Sequence, residues 1–196
     1  MDLTPELSVI EGAYLRDLLA QPPALADTLA GLRAAPPWEI RAASYAKIVL
    51  TGMGSSLHAL HPLQLRLVRA GHTAMRVETA ELIHAQADLL DDRTLLVVVS
   101  QSGRSAETVQ LLELLQAREK RPFVIGVTNT PGSPLASSAD AVVWMRAGQE
   151  FSVSCKTSLR PLGHWPPARI LSPDCHVTRN KPGRAPVSAS AAAPPL

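Results

Sequence analysis

Aromatic side chains are scarce in this sequence, at 4% of residues against 46% for hydrophobic residues as a whole. A core drawn from such a chain is aliphatic, built of Leu, Val, Ile and Ala, which suits a parallel sheet covered by helices. Cysteine is nearly absent: Cys155 and Cys175 are separated by proline-rich sequence and show no framework spacing. That excludes a disulfide-stapled scaffold and fits a reduced, cytoplasmic protein. The start, Met1-Asp2-Leu3-Thr4-Pro5-Glu6, lacks the basic segment and apolar stretch of a signal peptide. No apolar run approaches the ~20 residues needed to span a bilayer, so no membrane partner is expected.

An excess of one charge is also missing. The formal charge is +2, but Arg160 to Leu196 holds five basic residues and one acidic residue, which leaves the body at −2. A mildly acidic body offers no basic stripe for nucleic acid, so a small molecule is the expected partner. At 196 residues the length fits one ordinary domain.

The pattern along the chain divides it into three parts. Residues 1–37 form an N-terminal helical arm. One helix ends near Leu19 and a second runs from Ala24 to Leu32, divided by Gln21-Pro22-Pro23, and Pro36-Pro37 reads as a linker. Residues 38–157 form the main domain. Five short β-rich runs are predicted there, at Lys47 to Thr51, Ala74 to Val77, Leu95 to Val99, Phe123 to Val127 and Ala141 to Trp144. Helices are predicted between them at Ser56 to Ala70, Glu81 to Ala87, Ser105 to Glu119 and Ser133 to Ser138. This alternation predicts an α/β fold: a five-stranded parallel sheet of flavodoxin-like order with helices on both faces. Ligands of such sheets bind at the carboxyl ends of the strands. Residues 158–196 hold eight of the seventeen prolines, keep no helical or strand period, and are expected to be disordered.

Two strand-ending loops carry the chemistry. Ser100-Gln101-Ser102-Gly103-Arg104-Ser105 closes the most apolar strand and opens a helix. A phosphate monoester needs convergent donors and a local positive potential, and a helix N-terminus supplies both. Ser100, Ser102 and Ser105 add hydroxyls, Gln101 adds an amide, and Gly103 allows close approach of the backbone. The plainer alternative is a serine-rich helix cap, with Ser105 and Thr108 trimming the helix end. The other loop, Thr51-Gly52-Met53-Gly54-Ser55-Ser56, begins like a dinucleotide fingerprint, and Glu78 stands where a ribose-binding acid would. The third glycine position is Leu57, however, and Ser55 and Ser56 point to hydroxyl contacts with a small polar ligand.

These loops occur in order with Gly126-Val127-Thr128-Asn129 and with Ala147-Gly148-Gln149-Glu150-Phe151-Ser152-Val153-Ser154-Cys155-Lys156-Thr157. In that arrangement the chain resembles the sugar isomerase (SIS) domain family over about residues 8 to 157. The likeness is strongest to the first SIS module of the glucosamine-fructose-6-phosphate aminotransferase isomerase part and to other double-SIS sugar isomerases. The resemblance implies that Ser100, Gln101, Ser102 and Ser105 grip a sugar phosphate. It implies that Gly54, Ser55 and Ser56 meet the hydroxyl or amino end of the sugar, and that Val153 or Ser154 supplies a backbone contact. The implied ligand is a hexose or aminohexose 6-phosphate, in the setting of aldose-ketose isomerisation or aminosugar-phosphate deamination, and a homodimer is implied as well.

Two departures limit the carry-over. No glutaminase domain with an opening cysteine is present, so glutamine hydrolysis is not expected. The family's catalytic glutamate and late lysine belong to a second SIS module, and nothing after Thr157 resembles one. That ending leads to the expectation of a reading-frame change or truncation that leaves one module of two. Glu150 is the candidate general base within the chain, although a carboxylate after an edge strand is commonly a solvated one. Lys156 reads as a surface lysine and Cys155 as a small packing residue. His58, His61, His72 and His84 lack metal-ligand spacing, so neither a metal nor another cofactor is expected. A non-catalytic module that senses a sugar phosphate is the alternative from another class, and a dinucleotide-binding domain is a further one.

Overall fold

The computed structural model describes residues 12–34 and 42–148. Glu150, Val153, Ser154, Cys155, Lys156, the linker prolines and the C-terminal segment lie outside the described residues.

Two helices open the chain, α1 (Ala13–Leu19) and α2 (Gln21–Ala34). The main body follows in the order β1 (Lys47–Gly52), α3 (Ser55–Ala59), α4 (His61–Arg69), β2 (Ala74–Glu78), α5 (Thr79–His84), β3 (Thr94–Val99), α6 (Ala106–Gln116), β4 (Phe123–Thr128), α7 (Pro134–Ser138) and β5 (Ala141–Trp144). The strands form one parallel sheet of order β2-β1-β3-β4-β5, as the sequence predicts. All five strands lie where the apolar runs place them, extended by a residue at one end in four cases.

The sheet is buried on both sides because its strands are apolar at consecutive positions. All six residues of β3 are buried. Leu95, Val97 and Val99 pack with Ile48, Leu50, Leu63, Leu67 and Ile125 on one face. Leu96 and Val98 pack with Val49, Leu82, Leu111, Leu115 and Leu135 on the other. Each such side chain contributes about 1.5–3 kcal/mol when fully buried, so covering both faces is what holds the layers together.

Two helical expectations need correction. The helix expected from Ser56 to Ala70 is two helices, broken at the fully buried Leu60. Pro62 has no N–H to return to the carbonyl of His58, so the first helix cannot run through it, and Pro62 instead sits in the opening turn of α4. The second arm helix starts at Gln21 rather than Ala24. Pro22 and Pro23 occupy its first turn, where an N–H would have no helical partner in any case.

Strand order decides where a ligand can lie. From β1 the chain crosses to β2 on one side, and from β3 it crosses to β4 on the other. The carboxyl ends of β1 and β3 therefore flank the point at which the winding reverses, where the loops diverge and leave a crevice. At the opposite end of the sheet, Lys47 Nζ donates to Asp91 at 3.1 Å, and Arg121 makes two bonds to Asp140 at 2.7 and 3.0 Å. Burial pushes the Asp91 carboxyl up, but bonds from Thr94 and Lys47, the lysine's charge and the Arg93 N–H outweigh it and hold the carboxyl below its ordinary value.

Candidate functional site

Gly52 at the end of β1 lies in register with Val99 at the end of β3. A Cβ on Gly52 would stand 2.9 Å from the Val99 carbonyl oxygen and 3.1 Å from Ser56 Cβ. Only glycine lets the two strand-ending loops come this close. Gly54, Ser55 and Ser56 are thus brought to the same end of the sheet as Ser100, Gln101, Ser102 and Ser105.

Each hydroxyl of the β3–α6 loop has a defined place. Ser100 is 7% exposed, deeper than its position in a loop implies, and its Oγ accepts the Gly103 N–H at 3.2 Å. Because the oxygen is the acceptor there, the hydroxyl proton is not used by that bond. Ser102, half-buried, accepts the Arg104 N–H in the same way at 3.2 Å. Ser105 is the N-cap residue of α6, but its side chain accepts no bond from the helix N–H groups. Its hydroxyl instead meets that of Thr108 at 2.7 Å. The pairing of Ser105 with Thr108 belongs to the capping alternative, yet it leaves the N–H groups at the head of this eleven-residue helix uncapped by serine.

Gly103 adopts a left-handed φ of 61°. A Cβ there would overlap the Ser133 hydroxyl and stand 2.8 Å from Ser133 Cβ and 3.0 Å from Thr128 Oγ1. The loop is consequently wedged against the β4–α7 connection. The Gln101 carbonyl accepts from Asn129 N at 3.0 Å and from Thr128 Oγ1 at 3.1 Å, and the Gly103 carbonyl accepts from Leu135 N at 3.2 Å. Thr128, Asn129 and Ser133 are supporting residues that were not among the sequence candidates. Their signal is local and slight: a Thr-Asn pair ends a buried strand, and Ser133 stands before a proline, where its Oγ accepts the Ala136 N–H at 3.3 Å.

The β1 side is tied to the start of α5 by a buried contact between the hydroxyls of Thr51 and Thr79 at 3.1 Å. Thr51→Val leaves the Thr79 hydroxyl buried without this partner and is expected to cost about 1–3 kcal/mol. The Thr51→Val/Thr79→Val double variant should lie nearer the parent than the sum of the single changes, as a denaturant-unfolding double-mutant cycle would show.

The dinucleotide alternative finds little support in the geometry. The helix after Gly52-x-Gly54 is only five residues long, and the third glycine position is Leu57. A separate cavity of about 320 Å³, lined by Leu112, Leu115, Arg118, Arg121 and Ser138, lies towards the amino end of the sheet. Its arginines are bonded to the Leu90 carbonyl and to Asp140, and it shares no residue with the loops.

The SIS domain family model matches residues 41–162. The chain belongs to the SIS domain family. Among curated relatives, the glutamine–fructose-6-phosphate aminotransferase (isomerizing) of Pyrococcus horikoshii is 35% identical over 146 residues, which cover 74% of this chain and 24% of that protein. The enzyme of the same name from Streptomyces coelicolor is 32% identical over 152 residues, covering 71% and 24%. This SIS chain therefore spans about a quarter of the length of the curated relatives it matches. Among solved structures, the C-terminal domain of glucosamine-fructose-6-phosphate aminotransferase from Francisella tularensis superposes with a TM-score of 0.64 at 20% identity, over 76% of this chain and 44% of that one. Tagatose-6-phosphate ketose/aldose isomerase from Escherichia coli gives 0.59 at 20% identity, over 76% and 45%. Both share the SIS fold with this chain.

Proposed function

We propose that this chain binds a hexose or aminohexose 6-phosphate, with the phosphate seated in the loop that joins β3 to α6. The observation that carries this reading is the serine-rich loop at the head of α6. Three hydroxyls and a left-handed glycine lie in the loop that leads into a helix N-terminus that the N-cap side chain does not satisfy. Partial positive charge at that terminus and hydroxyl protons from Ser100 and Ser102 suit a doubly negative ester. Gln101 and Ser105 complete the grip. Gly54, Ser55 and Ser56 face the sugar from the neighbouring strand end, and Val153 and Ser154 contribute from the segment after β5. The printed names of the relatives, a fructose-6-phosphate aminotransferase and a ketose/aldose isomerase, support the same ligand class.

The chain acts as one module of an aldose-ketose isomerase or aminosugar-phosphate enzyme, paired with a second copy, in the cytoplasm. No described helix is long and apolar enough to cross a membrane. Exposed Leu65 and Val68 on α4 offer apolar surface for pairing. The sensing alternative draws on the loops themselves: residues 53–56, 100–105, 129–133 and 145–148 contain no carboxylate and no imidazole, which leaves Glu150, in the segment after β5, as the candidate side-chain base for proton transfer at carbon.

Calorimetric titration with fructose 6-phosphate and glucosamine 6-phosphate, alongside a turnover assay, tests both readings. Saturable binding of the phosphorylated sugars, with none of free fructose, is the expected result. Binding without conversion selects the sensing module. Tight NAD binding with no response to either sugar phosphate would overturn the proposal.

A further inference from the structure

The side chain of Asn129 behaves like a piece of backbone. Its Oδ1 accepts the Ala147 N–H at 2.9 Å, and its Nδ2 donates to the Gly148 carbonyl at 2.8 Å. Its own backbone N–H goes the other way, to the Gln101 carbonyl at 3.0 Å. One residue thus stitches the exit of β4 to the phosphate loop on one side and to the exit of β5 on the other. The adjacent rungs continue the same ladder: Ser100 N donates to Val127 O, and Met145 N donates to Thr128 O, each at 3.0 Å.

The stitched segment also holds an unfavourable shape. Arg146 has a φ of 51°, in the left-handed region that non-glycine residues avoid. It lies between Met145, bonded to Thr128 and also to the α2 hydroxyl of Thr28, and Ala147, bonded to Asn129. Such a conformation persists only where its neighbours over-determine it. The exposed Arg146 side chain passes close over α2 at Gly31, where a Cβ would lie 2.5 Å from its Cδ and 2.7 Å from its Nε.

We infer that Asn129 is a positioning residue of the ligand site, whose carboxamide fixes Met145–Gly148 as a rigid wall beside the phosphate loop. This rests on the sugar-phosphate reading above. A lone phosphate fills only the loop, whose ties to residue 129 run through the backbone N–H and survive side-chain truncation. A hexose joined to that phosphate is larger than the loop and meets the rim, so its affinity depends on the wall being preorganised.

The test compares the parent with Asn129→Ala by calorimetry, using inorganic phosphate and fructose 6-phosphate as ligands. Asn129→Ala is expected to weaken fructose 6-phosphate about tenfold while leaving inorganic phosphate within about twofold. Asn129→Ser serves the same comparison should the alanine variant fail to fold. Unchanged fructose 6-phosphate affinity, or an equal loss for both ligands, would overturn the inference while the sugar-phosphate reading stands. A parent protein that binds neither ligand removes that reading instead, and amide hydrogen exchange on the ligand-free chain then decides the clamp itself. Loss of protection at Ala147 and Met145 together supports it, since the segment moves as one. Loss at Ala147 alone refutes it, because the bond is then merely local.

Discussion

Gly103→Ala should lower the melting temperature by roughly 10 °C and abolish sugar-phosphate binding. Two costs combine. A left-handed residue with a Cβ costs about 1–2 kcal/mol, and forcing a methyl group into packed surroundings adds about 1–3 kcal/mol. The methyl would overlap the Ser133 hydroxyl, and Ser133 cannot withdraw cheaply. It is fully buried, and its Oγ accepts the Ala136 N–H at the start of α7. Gly132→Ala is the control. Gly132 has a φ of 68° but no atom within 4 Å of a built Cβ, so only the backbone term applies and the shift should be a few degrees. Thermal unfolding followed by circular dichroism compares the two directly. Equal shifts would mean that the contact with Ser133 does not hold the loop.

The second large effect belongs to the hydroxyls. Ser100→Ala with Ser102→Ala should weaken fructose 6-phosphate about a hundredfold or more, since each hydrogen bond to a charged group contributes about 1.5–3 kcal/mol. Stability should change little by comparison. The Gly103 N–H that reaches Ser100 Oγ also lies 3.1 Å from the Ser100 carbonyl, so it keeps an acceptor when the hydroxyl is lost. The Arg104 N–H that reaches Ser102 Oγ is at an exposed residue, where water can replace the hydroxyl. Titration calorimetry on a variant shown to melt near the parent separates the ligand contacts from the fold. A double variant that binds as tightly as the parent would show that these serines only shape the loop.

The fold was legible because its strands are apolar on both faces. Leu95 to Val99 could hardly be placed anywhere but the centre of a covered sheet, and the helices between strands left only crossover connections. The two loops were legible for a related reason: strand ends rich in glycine and serine stand out against aliphatic sequence. Helix boundaries were less so. The break at Leu60 follows from Pro62, but a buried leucine between two amphipathic stretches reads as one continuous helix until the missing N–H is followed back to His58. Pro22 and Pro23 look like a divider, and only the turn at Ala20 shows that they open α2.

The supporting shell of the site was largely invisible in sequence. Asn129 and Ser133 act through contacts with residues about 20 to 30 positions away, at Gln101, Ala147 and Gly103. No local period or capping rule marks such partners, because the strand order alone brings them together. The depth of Ser100 was equally hidden. A serine immediately after a strand reads as a surface group, yet the Val127 carbonyl continues the ladder past the last apolar residue and draws it under the loop.

The most direct measurement is an amide chemical-shift titration of the isotopically labelled chain with fructose 6-phosphate. Saturable shifts should concentrate at Ser102, Gly103, Arg104, Ala106 and Glu107, in the loop and the first turn of α6. Shifts gathered instead around Leu115, Gln116 and Arg121 at the other end of the sheet, with the loop unmoved, would contradict the placement of the ester at the head of α6.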